Sequence, residues 1–192
     1  MNQMSQTELP MAKRQPQSQP AWTDVKAKLA SLDRTGLTGL IRDLYAVHKD
    51  NQTFLHTRFG LGEDVLMPYK EKLDRWLRPD VLRNQNPSVA NAKQAISSYR
   101  KAVGDPGGLA ELMVFYCECA VGFCSDICLD DEGYFSALVN MFEQALKVTR
   151  QLPADDRDAL IVRLGCVRNT SDNFGYGVGD DMDSLLAKYV RT

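Results

Sequence analysis

The sequence predicts an all-α protein: an irregular multi-helix bundle, or a short α-α superhelical array of eight to nine helices. Three observations carry this. Apolar residues recur at i, i+3, i+4 and i+7 through most of the chain. No segment shows sustained period-2 alternation with β-branched enrichment. The periodic segments are separated by clusters of Gly, Pro, Asn and Asp. No self-similarity is found at periods of 33–47 residues, so an array would be a degenerate one.

With 192 residues and 44% hydrophobic content, the chain can bury one sizeable core. Residues 1–21 are rich in Gln, Ser and Pro and are expected to form a disordered tail, leaving 22–192 as a single all-helical domain. Thr23 is the expected N-cap of a short helix through Ser31. Leu37, Leu40, Ile41, Leu44 and Tyr45 then define an amphipathic helix expected to bury that face. Asp50 or Asn51 is the expected cap of a third helix through Phe59, which Gly60 and Gly62 stop. From Asp64 to Leu77, five apolar residues share one arc, and Pro68 sits in the first turn, where its missing N–H costs little. Ser88 caps the next helix, and Gly104 to Gly108 break it.

Gly107 to Leu152 reads as two central helices, the first apolar on nearly every side. Its length is interrupted by Glu111, Glu118 and Asp126, so no membrane-spanning candidate is expected. Two more helices follow, Asp155 to Arg168 and Asp181 to Tyr189, the latter capped by Asp180 or Asp181 after the glycine-rich loop 173–180. That loop lacks the preceding strand of a dinucleotide site and reads as a helix connection. The N-terminus carries no export signal, and five cysteines without one favour a reducing cytoplasm.

Net charge is −2, unevenly placed. Residues 1–104 hold 16 Lys+Arg against 10 Asp+Glu, and residues 105–192 hold 7 against 15. The basic surface Lys70, Lys72, Arg75, Arg78, Arg83, Lys93, Arg100 and Lys101 is the best nucleic-acid candidate, although a pI of about 5.7 does not suit a dedicated binder. Four cysteines fall on the central pair. Cys117, Cys124 and Cys128 share one side, but about 10 Å of helical rise separates the first two, so core packing is preferred to a metal site. His48 is expected near a helix C-terminus, and neither it nor His56 completes a catalytic arrangement.

Glu111, Glu118 and Ser125 repeat every seven residues and form the one polar strip of the central helix. Such a strip is either solvated, paired to cations from a neighbouring helix, or the acidic half of an inter-helix site. No catalytic, cofactor-binding or metal-ligating set is expected.

Several residues together resemble a known family. They are Leu37, Leu40, Leu44 and Tyr45 with Asn51 and Phe54-Leu55, then Ala110-Glu111-Leu112-Met113. Met141-Phe142 with Ala145-Leu146, and Gly175-Tyr176-Gly177 before Asp180 or Asp181, complete the set. In order and spacing they are similar to a family of small all-helical bacterial proteins described as a domain of unknown function, over about residues 24–190. The resemblance implies an all-helical fold and a bacterial cytoplasm, and it transfers no activity, cofactor or catalytic residue. The tail and the cysteine cluster depart from it.

The expected function is non-enzymatic binding of another macromolecule, a protein partner or a second copy of the chain, away from membranes. The alternatives are nucleic-acid binding through residues 67–101 and an enzyme with an inter-helix acidic site.

Overall fold

The computed structural model describes residues 19–190 and is all-helical, with no strand among the described residues. The helices are α1 (Trp22–Leu29), α2 (Arg34–Val47), α3 (Lys49–Arg58), α4 (Met67–Leu77), α5 (Val89–Ala102), α6 (Pro106–Ile127), α7 (Glu132–Thr149), α8 (Ala154–Thr170) and α9 (Val178–Val190). A 3₁₀ turn at Val81–Arg83 interrupts the α4–α5 connection. The expected tail lies outside the described residues except for 19–21. The chain divides into two compact units, 1–44 and 45–192, a boundary inside α2 that the sequence does not signal.

In the second unit α6 is the hub and packs against α4, α5, α7 and α8, while α9 closes on α7 and α8. The reason is composition. Leu112, Met113, Val114, Tyr116, Cys117 and Ala120 spread over more than half of the circumference of α6, and all are buried. A helix apolar over so much of its surface is stable in water only when neighbours cover it on several sides. Each large side chain buried there contributes about 1.5–3 kcal/mol. By length and composition α6 is also long and apolar enough to cross a membrane, with mean hydropathy 1.4, contrary to the expectation that no such segment exists. In the fold, 72% of that window is buried against other helices, as a core helix is.

The helix ends revise several expected caps. Ala21, not Thr23, precedes α1, and its N–H donates to Asp24 Oδ2 at 2.8 Å. His48, not Asp50 or Asn51, caps α3, its Nδ1 accepting from the Asp50 N–H at 3.1 Å. His48 directly follows the last residue of α2, near a helix C-terminus as expected, and at the same time starts α3. Asp64 accepts from the N–H groups of Leu66 and Met67, and α4 begins three residues later than expected. Asp180 and Asp181 lie inside the first turn of α9, where they face the positive end of its dipole without being caps. Ser88 caps α5 as expected, and Asp105 and Asp131 cap α6 and α7.

In the first unit α1 and α2 bury no side chain, contrary to the expectation for α2. Its apolar residues form the stripe that spacing predicts, but Leu37, Leu40, Ile41 and Leu44 stand 37%, 39%, 50% and 51% exposed.

Candidate functional site

The polar strip of α6 is closed by cations. Glu111 and Glu118 stand two helical turns apart on one face. Arg163 of α8 enters between them. Its Nε and Nη2 donate to the two oxygens of Glu118, each at 2.7 Å, and its Nη1 donates to Oε2 of Glu111. Lys70 of α4 donates to the remaining Glu111 oxygen at 2.6 Å, with its ammonium 5.4 Å from the centre of the Phe115 ring. Burial pushes the Glu111 carboxyl upward, but the hydrogen bonds from Arg163 and Lys70 outweigh it and hold the group below its ordinary value. The bond to Glu118, with that to Glu111, raises the Arg163 guanidinium further above its already high value. All four carboxylate oxygens accept from a cation, so the cluster ties α4, α6 and α8 together as two acids and two bases. Ser125, the third member of the strip, is exposed and does not join it.

Arg163 is absent from the expected site residues, yet the sequence carried a signal for it. It falls among Leu160, Leu164 and Val167, the buried stripe of α8. A charged residue at that spacing needs a buried partner, and the Glu strip supplies it.

The basic surface 67–101 does not act as one patch. Lys70 belongs to the cluster just described. Lys72 pairs with Asp50, Arg78 with Asp126 at 3.5 Å and Asp74 at 3.9 Å, and Arg83 with Asp80 at 3.2 Å. Arg75, Lys93, Arg100 and Lys101 are exposed and have no ion pair among the described residues. Half of the expected positive surface is therefore neutralised locally.

A cleft of about 740 Å³ opens between α3, α4 and α5. Its floor is the α5 face Asn91, Gln94, Ala95 and Ser98, one wall is Lys72, Arg75 and Trp76 of α4, and Lys49 and Thr53 of α3 stand opposite. The Lys72–Asp50 pair bridges the two walls. The Lys72 hydrogen bond is the main reason the Asp50 carboxyl sits below its ordinary value.

Cys117, Cys119 and Cys124 are buried as core residues, and burial pushes all three thiols up, those of Cys119 and Cys124 to about 12. Cys128 departs from the expected shared side. It ends α6 in the left-handed conformation, φ 50°, and is exposed. Tyr176 and Gly177 supply the positive φ in the glycine-rich connection, and Phe174 of the same loop stacks on Phe135 with ring centres 5.4 Å apart. The loop thus docks on α7 through its aromatic residues. No group of three or more potential metal-ligating side chains occurs among the described residues.

No protein-family model, no curated protein and no solved structure matches this chain.

Proposed function

We propose that the chain works by binding another protein, and that the partner docking on α2 is a second copy of itself. The observation that carries this is the exposed stripe Leu37, Leu40, Ile41 and Leu44. A 14-residue helix is marginal in water without tertiary packing, so an apolar stripe that buries nothing is a helix awaiting a covering surface.

The stripe's spacing favours self-recognition. It is symmetric about the midpoint between Leu40 and Ile41. An antiparallel two-fold pairing of α2 centred there sets Leu37 against the partner's Leu44, and Leu40 and Ile41 beside the axis. Trp22 and Val25 of α1 are also exposed, at 68% and 47%. The α2 stripe offers apolar area on the order of a few hundred Å², part of the roughly 800 Å² that each partner brings to an ordinary specific interface. A bacterial cytoplasm and membership of the resembled helical family belong to the same proposal, supported by the all-helical fold and by five free thiols. Nucleic-acid binding through the whole 67–101 surface is less well supported, because four of its eight cations face acids.

Cysteine cross-linking tests both contact and direction, in a background with Cys128 and Cys166 changed to Ser. Ile41→Cys, beside the axis, is expected to link two chains. Leu37→Cys and Leu44→Cys are expected to link when mixed but not singly, because two copies of position 37 lie about 10 Å apart along antiparallel helices. Self-linking of Leu37→Cys would contradict the antiparallel pairing, and no linking at any position would contradict the dimer.

A further inference from the structure

We propose that the cleft between α3, α4 and α5 is a binding site for a nucleotide, a planar base carrying a phosphate. The first reason is its floor. α5 packs against α3, α4 and α6, and its residues Ala92, Ala95, Ile96 and Tyr99 are buried. Here Asn91, Gln94 and Ser98 fall within one arc at i, i+3 and i+7 around the small Ala95, and all four line the cleft. The side chains of Asn91 and Gln94 have no hydrogen-bond partner among the described residues, and two amides side by side offer both donors and acceptors.

The walls supply the remaining chemistry. Trp76 is half-buried at the cleft wall and offers an aromatic surface on which a base can stack. Arg75 and Lys49 line the same cleft with no ion pair among the described residues, although Glu71 and Asp74 flank Arg75 on its own helix. Glu71 lines the cleft as well, but a guanidinium held in no ion pair, beside an aromatic ring, suits a phosphate in forked geometry. Lys72 is already matched by Asp50, so the positive charge left for a ligand lies on the Arg75–Trp76 side.

Each simpler ligand leaves part of this lining unused. A bare anion has no use for the amide floor or the indole, and an apolar molecule would strip water from Asn91 and Gln94 without returning hydrogen bonds. The volume falls within the range of roughly 300–1,000 Å³ typical of small-molecule sites. A free mononucleotide and the exposed end of a single strand present the same base and phosphate.

The two tryptophans make a direct test possible. Trp22→Phe removes an exposed indole outside the cleft and leaves Trp76 as the reporter. In this full-length variant, saturable change of Trp76 fluorescence is expected with at least one of AMP, GMP, CMP and UMP, and not with inorganic phosphate alone. Arg75→Met keeps the side-chain stem and is expected to weaken that binding about tenfold or more, while Lys93→Met, outside the cleft, leaves it unchanged. A short single-stranded oligonucleotide separates the two sources: tighter binding with a steeper salt dependence assigns a strand end, and equal or weaker binding assigns the mononucleotide. No response to any of the four at about 1 mM, or equal affinity in Arg75→Met, overturns the proposal.

Discussion

Arg163 holds Glu118 in a two-pronged grip, Nε and Nη2 each donating at 2.7 Å to a different carboxylate oxygen, while its third nitrogen turns to Glu111. The guanidinium plane matches the carboxylate plane, a fit that a lysine cannot reproduce. Because all three side chains are about two-thirds to three-quarters buried, removing the cation leaves two poorly hydrated acids side by side. Arg163→Met is expected to destabilise the fold by about 1–3 kcal/mol. Arg163→Lys should recover only part of that. Urea unfolding of the two variants checks both.

Acid should weaken the fold within a defined window. The Glu111 carboxyl is held below its ordinary 4.5, and Glu143, bonded by Tyr189, Lys147 and Lys188, is held down to about 2. A carboxylate depressed in the folded state contributes stability that is complete above its unfolded value and is lost as pH falls through its folded value. Unfolding midpoints should therefore decline between pH 4.5 and about 2. Glu143→Gln is expected to flatten the lower part of that decline. A profile unchanged by Glu143→Gln contradicts the assignment.

Close packing of α6 on α5 depends on one missing methyl group. A Cβ on Gly108 would lie 2.0 Å from the Tyr99 hydroxyl oxygen and 2.6 Å from its ring carbon Cζ. Tyr99 is itself wedged edge-on against Tyr69, with ring centres 5.4 Å apart, and has little room to retreat. Gly108→Ala is expected to cost about 1–3 kcal/mol by overpacking, and Tyr99→Phe in the same chain should relieve part of it. Thermal unfolding of the single and double variants measures the coupling.

The thiols should divide into two classes. Cys128 and Cys166 are exposed, whereas Cys117, Cys119 and Cys124 are buried and held protonated by their surroundings. Since the thiolate is the reactive form, a disulfide reagent at mild pH is expected to modify two thiols quickly and the other three only on unfolding. Fast modification of a third would mean that α6 opens locally. Cys128→Gly, at φ 50°, is expected to leave the fold intact and to stabilise it by up to about 1 kcal/mol.

Much of this architecture is legible in the chain, for physical reasons. A helix apolar on all but one narrow face, as α6 is, has to sit in the middle, and the heptad spacing of Glu111 and Glu118 marks that polar face. Hidden from local pattern is whatever depends on a distant partner. Arg163 meets Glu118 across 45 residues of sequence, and Asp126 neutralises Arg78 across 48. A run of basic residues therefore looks like a surface until the fold brings acids to it. The His48 cap is hard to read from sequence because Asp50 and Asn51, two and three residues on, are the commoner capping types. For α2, spacing identifies the apolar side but not what covers it. A helix that buries its stripe and one that presents it share the same pattern. The polar face of α5 was readable as i, i+3 and i+7, but its place on a cleft floor required the positions of α3 and α4.

Sedimentation equilibrium reads the two-fold pairing of α2 in solution. The full-length protein is expected to show a mass that rises with concentration toward twice the 21.5 kDa of one chain. Leu40→Asp combined with Ile41→Asp should return it to the single-chain mass, with the helical circular dichroism falling by no more than the share of α2, since neither side chain is buried within one chain. A single-chain mass for the unaltered protein at every concentration, or a dimer that survives both aspartates, would contradict the account.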